Sequence, residues 1–253
     1  MLYKVMFLVY ALSAALYGIG IVVGLRRREK LAKALGWLAF VALAHGLGIG
    51  LYMMGSTWLE SGQPPFRTLF QSLVFLSVTT ALVYLVVGRR SVLLGFASAG
   101  FILLILGFAF LKQDVEEVQL PPALQSVWFV PHVLVYFLGY AALFISFVTS
   151  ILSVVFPQPK QLPFAHALGI DELNFQSLTY RSILFGFAMI SAGLIMGALW
   201  AKYAWGDWWS WDPKENWALV TWLVYAAFLH LRLVPGVGRK TLAWVSIAGF
   251  LAM

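Results

Sequence analysis

The chain has no cysteine, and charged residues make up only 11% of its 253 positions. The first absence excludes a disulfide scaffold. The second excludes both a disordered chain and a soluble enzyme. Soluble domains are about half apolar and a quarter charged, whereas this chain is 62% hydrophobic, with a mean hydropathy of +0.88. Too little polar surface remains to cover a water-soluble globule. Several reaction centres are also missing. There is no phosphate-binding loop, no serine–histidine–acid arrangement and no carboxylate inside an apolar run. All ten acids fall in connections or at run ends, which disfavours a proton-coupled transporter built on a midplane Asp or Glu. No internal repeat, low-complexity tract or soluble domain stands out.

What is present is a series of apolar runs long enough to cross a bilayer, which takes about 20 residues. Eight are legible, at about 2–24, 35–56, 68–88, 91–111, 131–156, 182–204, 216–234 and from 241 onward. The pattern predicts an all-α polytopic membrane protein forming one integral membrane domain over 1–253. The last run stops after 13 residues at Met253, so the natural chain is expected to continue. The first run lacks a cleavage site and reads as a span, not a signal peptide. The longest connection, 157–181, contains a short helix predicted near Pro163–Leu168.

Charge gives the orientation. The connections 25–34, 89–90, 157–181 and 232–240 hold 12 of the 17 basic residues and three of the ten acids, a net +9. The other side holds five basic residues and seven acids, a net −2. The positive-inside rule therefore places the first set in the cytoplasm and the N-terminus outside. The overall charge of +7 follows from topology, and no nucleic-acid partner is needed to explain it. Gly18, Gly20, Gly24, Gly46 and Gly50 would let the first two spans pack closely.

One segment is out of the ordinary. Residues 200–222, WAKYAWGDWWSWDPKENWALVTW, hold seven of the 11 tryptophans. An interfacial belt accounts for one or two tryptophans per helix end, not for seven in one outer connection. A shelf of indoles suits a large planar apolar ligand such as a tetrapyrrole. Its propionates could meet Lys202, Lys214 or Arg67. Asp212-Pro213-Lys214-Glu215 is also a helix start, with Asp212 as cap, Pro213 at the first helical position and Glu215 completing a capping box. Asp212 thus has a structural reading that a second role would not contradict.

WGDWWSWDPKENWALVTW resembles the tryptophan-rich signature of the haem-handling proteins of cytochrome c maturation. The whole chain looks like the CcsA-type (ResC) subunit of the System II cytochrome c synthase. ESGQPPFRTLFQSL (60–73), LPPALQSVWFVPHVLVYFLGYAAL (120–143) and TWLVYAAFLHLR (221–232) carry further matches. The resemblance implies a haem-handling core over about 120–253, with the outer loop at 200–222. It implies a haem lyase activity in which haem b crosses the membrane and is joined by thioethers to apocytochrome c at Cys-x-x-Cys-His. The resemblance also implies that the haem must be ferrous for attachment. The implied partners are haem, apocytochrome c, the lipid bilayer and a CcsB/ResB-type membrane subunit. The implied membrane is the bacterial inner membrane or the thylakoid, with attachment on the outer side.

Four histidines are candidate iron ligands. His132 follows Pro131 at the outer start of the fifth span. It is either a polar helix-end residue or, as the resemblance implies, an outer axial ligand beside Trp205, Trp208, Trp209, Trp211, Asp212 and Trp217. His230 lies 17 residues past Pro213, about 25 Å down the seventh span. It is either interfacial beside Arg232 or, as the resemblance implies, the ligand of a haem inside the membrane, its partner coming from the CcsB-type subunit. His45, in the middle of the second span, could bond a neighbouring helix or line a haem route. His166 reads as a solvated loop residue. The family has a second outer histidine after a further span, which this sequence does not reach. A haem-binding or haem-exporting membrane protein without synthase activity, HemX-like or a permease subunit, is the alternative. A membrane scaffold with an aromatic belt is a third reading.

Overall fold

The computed structural model describes residues 2–88, 91–112, 125–171 and 173–253. Arg89, Arg90, Asp114, Glu116, Glu117 and Glu172 of the charge count lie outside the described residues, as do residues 120–124 leading to His132. Backbone amides in hydrocarbon must bond within their own segment, so apolar runs of this length become helices. The described residues form α1 (Leu2–Leu25), α2 (Glu29–Ser61), α3 (Leu69–Val87), α4 (Val92–Leu111), α5 (Phe129–Val155), α6 (Ala165–Leu168), α7 (Phe175–Trp205), α8 (Pro213–Leu231) and α9 (Arg239–Ala252). No strand occurs among them. A 3-10 turn, Pro159–Gln161, precedes α6, which is the short helix predicted in the longest connection.

Six helices, α1 to α5 and α7, are long and apolar enough to cross a membrane, and the protein is an integral membrane protein. α8 has 19 residues but opens on Pro-Lys-Glu-Asn and carries His230. α9 has 14 residues, about 21 Å at 1.5 Å per residue, against a hydrocarbon core of about 30 Å. Helix starts are fixed by side-chain oxygens that accept orphan amide protons. Thr68 caps α3, Ser91 caps α4, Asn174 caps α7 and Asp212 caps α8.

Packing divides the chain into two compact units. The first comprises Met1–Val118 and Gln158–Leu173. Here α1 packs along α2 and α4, and α3 along α4. The Ser13 hydroxyl donates to the Ala39 carbonyl at 2.8 Å, joining α1 to α2. The buried Tyr17 and Tyr84 hydroxyls pair at 2.7 Å. Three of the five glycines marked in the sequence have no room for a side chain. A Cβ would sit 2.6 Å from Leu168 at Gly24, 2.6 Å from Tyr10 at Gly46 and 2.5 Å from Val78 at Gly50. At Gly18 and Gly20 the nearest atom is an ordinary 3.4 Å away.

His166 is exposed, as its loop suggests, but it is not without partners. Leu168, buried against Gly24, seats α6 and brings the imidazole to α2. Lys33 Nζ donates to His166 Nε2 at 3.0 Å, and His166 Nδ1 donates to Asp171 at 2.9 Å. Lys33 also pairs with Glu29 at 2.8 Å.

The second unit comprises Gln119–Pro157 and Asn174–Met253. Its helices α5, α7, α8 and α9 surround a core of Leu143, Ile183, Ile190, Tyr225 and Phe228. α5 and α7 share the largest interface and meet on small residues. A Cβ at Gly186 would lie 2.7 Å from Leu143, and one at Gly139 would lie 2.9 Å from Ile190. A hydroxyl pair, Thr149 with Thr179 at 2.7 Å, and the Trp222 indole N–H donating to Ser191 at 2.8 Å add directional ties. These bonds satisfy polar groups that would otherwise be stranded in an apolar core.

Candidate functional site: a tryptophan-lined cavity

The first turns of α5 and α8 and the last turns of α7 and α9 enclose a cavity of about 1070 Å³, at the upper end of ligand clefts. Its lining from α5 is His132, Tyr136 and Tyr140, each one turn beyond the last, with Val133 and Phe137 between them. Tyr140 and Thr221 mark the floor. Each is eight residues into its helix from His132 or Pro213, about 12 Å. Trp200, Trp205, Trp208, Trp209 and Trp217 form the aromatic wall.

His132 is held on three sides. The turn begins at Trp128, whose carbonyl accepts the His132 amide at 3.0 Å. Pro131 fits there because first-turn amides have no acceptor within the helix. The ring sits against α7, where Gly197 leaves it space. A Cβ at that position would be 2.9 Å from His132 Cε1. One turn earlier, the Gly193 carbonyl accepts a hydrogen bond from Nδ1 at 2.9 Å. A carbonyl can only accept, so Nδ1 carries the proton and Nε2 of the neutral ring keeps its lone pair. Tyr136 and Trp200 flank the imidazole with ring centres 4.8 and 5.7 Å away. This is how a metal-binding histidine is usually held, with its second nitrogen oriented by a fixed acceptor.

The loop from Gly206 to Asp212 is shaped by polar contacts. Gly206 ends α7 at φ +90°, a left-handed conformation that a side chain would strain. Glu215 accepts from the Ser210 amide at 2.8 Å and from the Asp212 amide at 3.4 Å, while Asp212 accepts from the Glu215 amide at 2.8 Å. The predicted capping box is therefore present. Trp211 is also left-handed, at φ +60°, and its carbonyl accepts from the Asn216 side chain at 2.9 Å.

The tryptophans divide by role. Trp211 is off the cavity wall and 67% exposed, edge-on to Trp209. Trp222 is structural, bonded to Ser191 and packed on Phe187. Trp209 lines the cavity with its indole N–H buried and unpartnered among the described residues, a donor awaiting an acceptor.

Of the three candidate cations, only Lys214 lines the cavity. Lys202 donates to the Gly206 carbonyl at 2.6 Å and so caps α7. Arg67 belongs to the first unit, where its side chain reaches Gln63 at 3.5 Å. Among the described residues nothing pairs with Lys214, whereas the Asp212 and Glu215 carboxylates on the same wall are engaged by the capping box. His230 is exposed on α8, away from the cavity, with Nδ1 donating to the Ala226 carbonyl at 2.7 Å. His45 is exposed on α2 in the first unit.

Sequence reasoning missed Tyr136, Tyr140, Gly193 and Gly197. The signal was available as helical spacing, since 132, 136 and 140 share one face, as do 193 and 197. What the spacing could not show is that these two faces meet.

The family model described as Cytochrome C assembly protein matches residues 66–253. The cytochrome c biogenesis protein CcsA of Synechococcus sp. strain RCC307 is 38% identical over 222 residues, covering 76% of this chain and 71% of that protein. The CcsA of Guillardia theta is 36% identical over 224 residues, covering 79% of this chain and 74% of its own length. The solved structure of the cytochrome c haem lyase CcmF shares the fold at a TM-score of 0.68 with 17% identity. It matches 99% of this chain, which spans 46% of that longer protein. The tryptophan signature, the cavity it walls and these matches agree, and the chain belongs to the cytochrome c assembly protein family as a CcsA-type cytochrome c biogenesis protein.

Proposed function

We propose that the tryptophan-lined cavity is an outer haem site, at which haem b is presented for covalent attachment to apocytochrome c. The observation that carries this reading is His132, which lines the cavity with Nδ1 committed to Gly193 and Nε2 left to coordinate iron. The remaining chemistry of the wall suits the same ligand. Flat indoles pack on a macrocycle. Lys214 and the unpartnered Trp209 N–H are the donors for its propionates.

On this reading the protein supplies placement and the haem supplies the reactive vinyl groups. Each thiol of an apocytochrome Cys-x-x-Cys-His adds across one vinyl C=C. Sulfur bonds to one carbon and the thiol proton ends on the other, so nothing leaves and no external oxidant is needed. The tryptophan wall would hold the macrocycle, and His132 would be the residue that binds its iron. The chain has no cysteine of its own, so no internal thiol competes. The positive-inside orientation puts this cavity on the outer face of a bacterial inner membrane or a thylakoid. His230, exposed on α8, then serves a haem inside the membrane, with the second ligand from a CcsB/ResB-type subunit. Export is the movement from that site to the outer one.

The test is the absorption spectrum of the purified chain co-expressed with a CcsB-type partner. A Soret band with sharp reduced α and β bands is expected, diminished by His132→Ala. Replacing Trp208 and Trp209 together with alanine should abolish holocytochrome formation while leaving membrane insertion intact. Correctly inserted protein without haem would refute the site. Haem bound at full occupancy without attachment would instead favour a binding or export protein.

A further inference from the structure

We propose that the turn between α1 and α2 is a binding site for the headgroup of an anionic membrane lipid. α1 ends at Leu25 and α2 begins at Glu29, so only Arg26, Arg27 and Arg28 join two helices that pack along each other. Backbone bonds close the turn. The Arg26 amide donates to the Val22 carbonyl at 3.3 Å, Arg27 to Gly24 at 2.9 Å and Arg28 to Val23 at 3.2 Å. The last two are the pair of bonds that ends a helix on a left-handed residue, a position commonly held by glycine and often followed by an apolar residue. Here the left-handed residue is Arg27, at φ +58°, and Arg28 follows it. A side chain at that angle is strained, so the turn carries a cost that glycine would remove. Strain kept in this way points to a use for the side chain.

The arginines lack a protein partner. Arg26, Arg27, Arg28 and Lys30 are all exposed, and none is in an ion pair among the described residues. The one acid of this stretch, Glu29, is taken by Lys33 at 2.8 Å. Membrane orientation by charge does not require this arrangement, because it counts lysine and arginine anywhere near a span's end. Forked guanidiniums on a hydrogen-bonded turn suit a narrower task. Each can grip two oxygens of a phosphate with parallel N–H bonds.

Location selects the source of that phosphate. A three-residue turn between two membrane-crossing helices lies at headgroup level. The charge pattern puts it on the cytoplasmic side, where the leaflet surface is negative. Leu25 and Leu31, on either side of the arginines, are 51% and 46% exposed, which gives the acyl chains below a headgroup an apolar surface. A free phosphate would use the arginines and not the leucines. The inference does not depend on the haem reading.

The experiment reconstitutes the purified full chain in phosphatidylcholine nanodiscs containing phosphatidylglycerol and counts the retained phosphatidylglycerol by native mass spectrometry. Arg27→Gly should weaken retention about fivefold, the worth of one basic group at an anionic surface. It should leave the fold at least as stable, because the left-handed strain is relieved. Arg27→Lys should recover part of the loss. Lys240→Gln, in a different connection of the same cytoplasmic side, should retain the lipid as the parent does. Unchanged retention in Arg27→Gly overturns the proposal. So does an equal loss in Lys240→Gln, which would reduce the turn to diffuse surface charge. If inorganic phosphate protects the chain from thermal unfolding in lipid-free detergent as well as phosphatidylglycerol does, the lipid assignment is overturned. Loss of a co-purifying acidic protein from Arg27→Gly, with the lipid count unaltered, overturns it as well.

Discussion

Gly197→Ala is the sharpest probe of the outer cavity, because it adds one methyl group and no charge. The new carbon would lie 2.9 Å from His132 Cε1 and 3.2 Å from Nδ1. Carbon atoms rest about 3.5–4.0 Å apart, so the imidazole must retreat by roughly 0.6–1 Å. Binding constellations tolerate about 0.5 Å, and the retreat also strains the bond to the Gly193 carbonyl. Overpacking costs about 1–3 kcal/mol. The gain in helix propensity, about 0.5–1 kcal/mol, is present with and without haem and does not offset a loss of affinity. Haem retention should fall by about five- to 150-fold, each 1.4 kcal/mol being a factor of ten. The assay is haem stoichiometry and the reduced α band of the purified variant, with and without added imidazole. Imidazole should restore the low-spin band, since the displaced group is the ligand and not the cavity. Gly107→Ala, whose Cβ would meet nothing within 4 Å, serves as the control. Wild-type haem content and spectrum in Gly197→Ala would refute the placement of His132.

Three further outcomes follow from the same geometry. Lys214→Glu should weaken haem binding about two- to tenfold at low salt, with the difference shrinking as ionic strength rises, because Lys214 is exposed and screened; a salt-independent loss would point to packing instead. Trp222→Phe should leave the haem spectrum unchanged and lower the thermal stability of the inserted protein by about 1 kcal/mol, the worth of its hydrogen bond to Ser191; loss of haem at unaltered stability would assign Trp222 to the site. Glu215→Gln keeps one acceptor oxygen but removes the charge that draws the Ser210 and Asp212 amides together. It should destabilise the start of α8 by about 0.5–2 kcal/mol, read as faster amide exchange at residues 210–216, and unchanged exchange would show that the capping box contributes nothing there.

The sequence by itself determined the helices, because apolar runs of this length leave the backbone no alternative to intrasegment hydrogen bonds. It also determined the start of α8, since Asp212-Pro213-Lys214-Glu215 carries its own capping chemistry. The tryptophan signature and His132 were legible too, because their spacing lies within single stretches of chain. Other features depended on which helix faces meet, and only tertiary packing decides that. Gly193 and Gly197 gained meaning when α7 came against α5 and one supplied a carbonyl while the other supplied space for the imidazole. Seven tryptophans in one run looked alike until packing put five on the cavity wall, turned Trp211 outward and sent Trp222 to Ser191. His166 reads as a loop residue in sequence, and only the seating of α6 brought it to Lys33. Local patterns fix what a segment becomes, whereas the partners of a side chain come from residues tens of positions away, whose approach no local pattern records.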